Sequence, residues 1–80
     1  ISNWDVSNVR DMNAMFSGCK SFNQDISDWD VSKVNNMSYM FTRCESFNQD
    51  ISKWDVSNVR QHDYMFEKCQ IKDEYKPNFK

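Results

Sequence analysis

Eighty residues, a formal net charge of −2 and an aromatic share of 15% describe one small domain in which a single core is only marginally stabilising. Both signs of charge are interspersed, which excludes the clustered basic footprint of a nucleic-acid binder, and the aromatic content excludes a highly charged disordered chain. No apolar run reaches the roughly 20 residues of a membrane-spanning helix.

A shift of 25 residues lays the chain over itself. Ile1-Ser2-Asn3-Trp4-Asp5-Val6-Ser7 matches Ile26-Ser27-Asp28-Trp29-Asp30-Val31-Ser32 and Ile51-Ser52-Lys53-Trp54-Asp55-Val56-Ser57. The match continues through Val9/Val34/Val59, Met15-Phe16/Met40-Phe41/Met65-Phe66 and Cys19/Cys44/Cys69. Residues 1–25, 26–50 and 51–69 are therefore three tandem repeats, followed by a divergent tail at 70–80. The chain opens inside a repeat, without a methionine or a secretion signal, and reads as a fragment or processed product.

Within each repeat the first half is rich in Phe, Ile, Trp and Val separated by small polar residues, a β-favouring composition. In Ser46–Val56 the step from Ile51 to Trp54 breaks strict alternation, so a strand of three to five residues with a bend near the tryptophan is expected. Ser7, Ser32 and Ser57 then stand as N-caps before the second half. There Val34, Met37, Met40, Phe41 and Cys44, at offsets 0, 3, 6, 7 and 10, fall within an arc of roughly 120° on a helix of 3.6 residues per turn. The expected fold is an α/β, leucine-rich-repeat-like solenoid of about three rungs, with one short strand and one short helix per repeat. Trp4/Trp29/Trp54 and Phe16/Phe41/Phe66 form its core ladders, and the three cysteines form a ladder of free thiols that behave as small hydrophobes.

The third repeat drifts after Cys69. Lys72 replaces Phe22 and Phe47, and the charged tail is read as a cap in which Ile71, Tyr75 and Phe79 shield the last rung. The N-terminal side carries no such cap and is expected to meet neighbouring repeats or subunits.

One histidine and one glycine provide neither a nucleophile–base pair nor a phosphate cradle, so no enzyme and no cofactor are expected. His62, in the Met12/Met37 column, is read as an edge-of-core residue. The Asp5/Asp30/Asp55 and Asp25/Asp50 columns are read as acceptors of backbone N–H bonds, with a Ca²⁺ site as the sharper alternative. The Asn23-Gln24 and Asn48-Gln49 pairs are read as inter-rung hydrogen-bonding groups, and Ser2, Ser27 and Ser52 as turn residues.

Binding is expected on the columns that differ between rows, such as Ala14/Tyr39/Tyr64, Ser17/Thr42/Glu67 and Gly18/Arg43/Lys68. Tyr39 lies about 160° from the centre of the stripe and faces solvent. Exposed tyrosines flanked by arginines have the composition of an interface hot spot. Arg10, Tyr39, Arg43, Arg60, Tyr64 and Lys68 are accordingly the candidate partner surface.

The string Phe-Asn-Gln-Asp-Ile-Ser-x-Trp-Asp-Val-Ser-x-Val-x-x-Met-x-x-Met-Phe-x-x-Cys-x-Ser, from Phe22 to Ser46, resembles the BspA-like leucine-rich repeat of bacterial surface proteins, especially the form in mycoplasma surface lipoproteins. The resemblance covers residues 1–69 and departs at His62. It implies a cell-surface or extracellular array of repeats used for adhesion, with a protein or host surface molecule as partner and no shared catalytic residues. The alternative is a structural subunit of a large intracellular or viral assembly, a setting that three unpaired cysteines suit.

Overall fold

Turns, rather than helices or strands, organise this chain. In the computed structural model, which describes residues 3–79, the one helical element among the described residues is a short 3-10 helix, Asp73–Tyr75. Among the described residues, strand pairing is confined to the isolated parallel bridges Asp11–Asn36 and Asn36–Gln61. The expected solenoid of one strand and one helix per rung is therefore not the fold, and the body measures 26 × 26 × 21 Å. The places expected for Ile1 and Ser2 in their columns, and Lys80 in the tail, lie outside the described residues.

What replaces the helix is a chain of overlapping β-turns. In the first repeat Met15, Ser17 and Cys19 donate their amides to the carbonyls of Met12, Ala14 and Phe16, at 2.9–3.2 Å. The amides between them point out of the layer. Met12, Ala14, Phe16 and Gly18 donate to Asn36, Ser38, Met40 and Thr42 of the second repeat, at 2.8–2.9 Å. The Asn13 amide is taken by the Asp11 carboxylate at 2.8 Å. Every N–H from Met12 to Cys19 thus has an acceptor, as buried backbone requires. The second repeat repeats the scheme, with Met37, Tyr39, Phe41 and Arg43 donating to Gln61, Asp63, Met65 and Glu67 at 2.7–2.9 Å.

The helical stripe was a misreading with a physical origin. A β-turn brings residues i and i+3 together as a helix does, and Val31–Val34, Met37–Met40 and Phe41–Cys44 are each closed by an i+3→i bond. Val34, Met37, Met40, Phe41 and Cys44 are all fully buried, but on turns. A helix is ruled out by left-handed backbone at Tyr39 (φ 61°) and Arg43 (φ 62°). With Asn, Ser and Tyr in its interior the segment had little helix propensity to oppose that, and the neighbouring layer offers its amides alternative acceptors.

The expected strand is also broken by turns. Asp25 accepts from the Ser27 amide at 3.0 Å and Asp30 from the Ser32 amide at 3.0 Å. Each is an Asx-turn leading into a β-turn, Ile26–Trp29 or Val31–Val34. Ser7, Ser32 and Ser57 do not cap helices; their hydroxyls donate to Asp5, Asp30 and Asp55 at 2.6–2.7 Å.

The core lies between the layers. Phe16, Phe41 and Phe66 stack with centroids 5.7 Å apart, and Phe22 and Phe47 follow at 5.5 Å. Trp29 and Trp54 are buried, and the Trp54 indole N–H donates to the Ile26 carbonyl at 3.1 Å. Trp4, stacked on Trp29 at 6.4 Å, is 51% exposed. The thiol ladder is graded: Cys44 is buried, Cys69 intermediate and Cys19 exposed. The tail continues the register, because the Lys72 amide donates to the Asn48 side chain as the Asn48 amide does to Asn23, both at 2.9 Å. Ile71 is buried, and the Lys76 ammonium lies 5.4 Å above the Phe66 ring, where the earlier layers place a phenylalanine.

Candidate functional site: a tyrosine and cation face

The left-handed positions recur at one place in every layer. They are Ala14 and Gly18, then Tyr39 and Arg43, then Tyr64 and Lys68, with φ between 56° and 78°. The overlapping turns impose this conformation and direct the side chains away from the core. An L-residue other than glycine resists it by about 1–2 kcal/mol. The first layer places small residues there, whereas the second and third place an aromatic ring and a cation.

The result is a continuous outer face. The Tyr39 and Tyr64 rings stack with centroids 5.6 Å apart and are 43% and 62% exposed. With Thr42, Arg43, Glu67 and Lys68 they line an open groove of about 530 Å³. Its floor is fixed by the Thr42 hydroxyl, which donates to the Tyr64 carbonyl at 2.6 Å. Arg43, Glu67 and Lys68 are exposed and make no ion pair among the described residues, where the one salt bridge joins Lys76 to Asp73 at 2.9 Å. The groove therefore presents two unneutralised cations and one carboxylate beside two ring faces, on a chain that is acidic overall.

Tyr39, Arg43, Tyr64 and Lys68 are brought together, as four of the six residues that line this groove. Arg10 and Arg60 are exposed but line no part of this groove. They belong to the bridge region, where Arg10 O accepts from Asn35 and Arg60 donates to Asn35 O, both at 2.8 Å. Thr42 and Glu67, from the variable Ser17/Thr42/Glu67 column, complete the groove lining, although they were not among the six residues singled out as the partner surface.

The acidic columns are engaged locally. The serine two residues on donates its hydroxyl and amide to Asp5, Asp30, Asp50 and Asp55, and these bonds hold the four carboxyls below their ordinary range; at Asp25 the Ser27 amide leads. Among the described residues no group of three or more His, Cys, Asp or Glu side chains could hold a metal ion. Burial pushes the Cys44 thiol up to about 11, and its Sγ lies 2.9 Å from the Phe16 carbonyl as a hydrogen-bond donor. His62 is exposed and stacks on Phe79 at 4.1 Å. A second groove, of about 340 Å³, is lined by Trp54, Asp55, Ser57 and Asn78 among others, and its Asp55 carboxylate is occupied by Ser57. No helix among the described residues is long and apolar enough to cross a membrane.

No curated protein and no solved structure matches the chain. The 25-residue columns that build the layers do match a family description over residues 1–78, and the chain accordingly belongs to DUF285, mycoplasma protein of unknown function, the family of BspA-like repeats.

Proposed function

We propose that this chain is a non-catalytic recognition module that binds a protein partner through the Tyr39–Tyr64 face, as one part of a longer surface-displayed array used for adhesion. The observation that carries this reading is the occupancy of the left-handed columns. Glycine or asparagine would satisfy φ near 60° with least strain, yet Tyr39, Arg43, Tyr64 and Lys68 stand there with exposed side chains. Backbone strain of this kind concentrates at ligand-binding positions, and Tyr and Arg are the residues enriched at interface hot spots. Repetition of the face along an array adds avidity to a weak single contact. The surface location rests on the family resemblance.

The test is selection of a displayed random-peptide library on the wild-type chain and on the double variant Tyr39→Asn/Tyr64→Asn. Asparagine tolerates the left-handed backbone, so the variant keeps the turns while losing both rings. Sequences enriched on the wild type and lost on a variant with unchanged melting support the reading. Equal enrichment on both moves the binding face elsewhere, and no enrichment on the wild type removes it.

A further inference from the structure

The column that carries Tyr39 and Tyr64 carries no ring in the first layer. The three layers follow one another in the amide ladder. The Tyr64 ring, stacked 5.6 Å away at 26°, therefore covers one face of Tyr39 and leaves the other turned toward the Ala14 methyl. No ring or cation covers that second face among the described residues. The backbone beneath it already has the shape that holds a tyrosine: φ is 57° at Ala14, against 61° at Tyr39 and 56° at Tyr64. The neighbouring column repeats the omission. Gly18 stands where the next layers carry Arg43 and Lys68, and a Cβ added there would meet nothing within 4 Å. The Arg43 side chain, exposed and without an ion pair, borders that open space. On the same row the Ser17 hydroxyl donates to nothing among the described residues, whereas its counterpart on Thr42 is tied to the Tyr64 carbonyl. The long Tyr39 and Arg43 side chains thus stand beside the short Ala14 and Gly18 and form a step one ring deep. Every residue that bounds it belongs to the first two layers.

We propose that this step receives an aromatic side chain of the protein partner, stacked on the open Tyr39 face above Ala14, with an adjacent carboxylate of the same segment meeting Arg43 above Gly18. This rests on the recognition reading above and names the partner's chemistry. Stacked rings prefer centroids about 4.5–7 Å apart, and one layer of this column supplies 5.6 Å. The incoming ring therefore takes the rung that Ala14 leaves open. The guanidinium of Arg43 presents an unengaged fork of donors, which matches a carboxylate in two parallel hydrogen bonds. A sugar ring would also lie on a tyrosine face, but each hydroxyl it buries needs a polar partner. The side chains of the step offer only Ser17 and Arg43 for that purpose, which favours an aromatic ring with one acidic neighbour.

The experiment titrates the 80-residue chain with a blocked tetrapeptide, glycine-tyrosine-aspartate-glycine, and follows its NMR shifts. The expected result is a saturable upfield shift of the Ala14 methyl, which the bound ring covers, with shifts at the Gly18 amide and the Tyr39 ring. Leucine in place of the peptide's tyrosine should weaken binding about two- to tenfold, the range for a stacked aromatic pair. Asparagine in place of its aspartate should weaken it about two- to fivefold, the range for an exposed ion pair. The decisive variant is Ala14→Tyr, which completes the ring column on backbone that Tyr39 and Tyr64 already adopt. It should melt no lower than the wild type and lose the response at Gly18 and Tyr39. Tyr39→Asn, which tolerates the same backbone, should lose it as well and serves as the second variant. Shifts confined to Tyr64, Glu67 and Lys68, unchanged in Ala14→Tyr, overturn the step as the contact and leave the recognition face standing. Equal binding of all three peptides, or no saturable shift with any, overturns the aromatic and acidic chemistry. Shifts at Ala14 and Gly18 that grow with protein concentration in the absence of peptide assign the step to a second copy and overturn the proposal. Saturation of the step by a uronic-acid oligosaccharide, with no response to the peptide, overturns both the proposal and the protein-binding reading.

Discussion

Arg43 separates the turn-built layer from a helix by the sign of one difference. Its φ is 62°, its side chain is exposed and unpaired, and its amide donates to Glu67 O at 2.8 Å. Both Arg43→Ala and Arg43→Gly keep that bond and remove the same exposed side chain. Alanine retains the left-handed strain of about 1–2 kcal/mol, whereas glycine removes it but adds about 0.5–1 kcal/mol of chain entropy. Glycine should therefore be the more stable variant, by up to about 1.5 kcal/mol. At Glu67, exposed and outside the left-handed set, the order should reverse, with Glu67→Ala more stable than Glu67→Gly by a similar amount. Each kcal/mol corresponds to about 4–8 °C in Tm for a domain of this size, so thermal melts of the four variants resolve the pattern. In a helix, alanine would win at both positions. Alanine more stable than glycine at Arg43 would refute the turn-chain account and, with it, the strain argument for function.

Phe41→Ala in the middle layer should destabilise by about 3–5 kcal/mol, because its ring is fully buried and stacked on Phe16, Phe47 and Phe66; circular dichroism of the variant should show loss of the folded state at 25 °C, while Tyr39→Asn should cost far less. The Asp5, Asp25, Asp30, Asp50 and Asp55 carboxyls are lowered by hydrogen bonds from their serines. Their stabilisation is present above the unfolded-state value near 3.8 and is lost as pH falls through the lower folded values. Tm should thus be flat with respect to these groups above about pH 5 and drop below about pH 4, with a smaller drop when Asp30 and Asp55 are replaced by asparagine. Thiol labelling with a disulfide reagent at pH 8 should modify Cys19 readily, whereas Cys44, buried and with its thiol pushed up to about 11, should react only on unfolding; rapid labelling of Cys44 in the native protein would contradict its place in the core.

The repeat, the columns and most of the core were legible because identical side chains at a fixed spacing of 25 have one economical use, stacking on themselves. The local backbone was not, because the spacing i, i+3 has two physical sources. Val34, Met37 and Met40 satisfy a helical stripe and a run of β-turns equally well. The missing clue was in the other half of the repeat. Asp25-Ile26-Ser27-Asp28-Trp29 is followed at once by Asp30-Val31-Ser32-Lys33-Val34, two copies of an acid, apolar, serine, variable, apolar pentad. Each is an Asx-turn joined to a β-turn, and an aspartate two residues before a serine is a turn signal. Tyr39 and Tyr64 were placed on the surface through a helical phase, yet they are exposed because left-handed backbone turns them outward. Arg10 and Arg60 shared a sequence column but not the groove, since columns encode stacking within a position and say nothing of which positions lie side by side.

A layer built this way separates scaffold from surface more completely than a helix does. The interlayer bonds are between backbone groups, so Met12, Ala14, Phe16 and Gly18 make the same contacts as Met37, Tyr39, Phe41 and Arg43 although half of those side chains differ. The inward alternates, Met15/Met40/Met65 and Phe16/Phe41/Phe66, are held to one identity by ring and thioether packing across layers only 5.7 Å apart at the phenylalanines. The outward, left-handed alternates carry no packing duty, and their identity changes only local strain. Variation at the left-handed columns therefore falls where a partner can reach it. Gly18 meets the left-handed backbone without strain, whereas Ala14, Tyr39, Arg43, Tyr64 and Lys68 meet it at a cost.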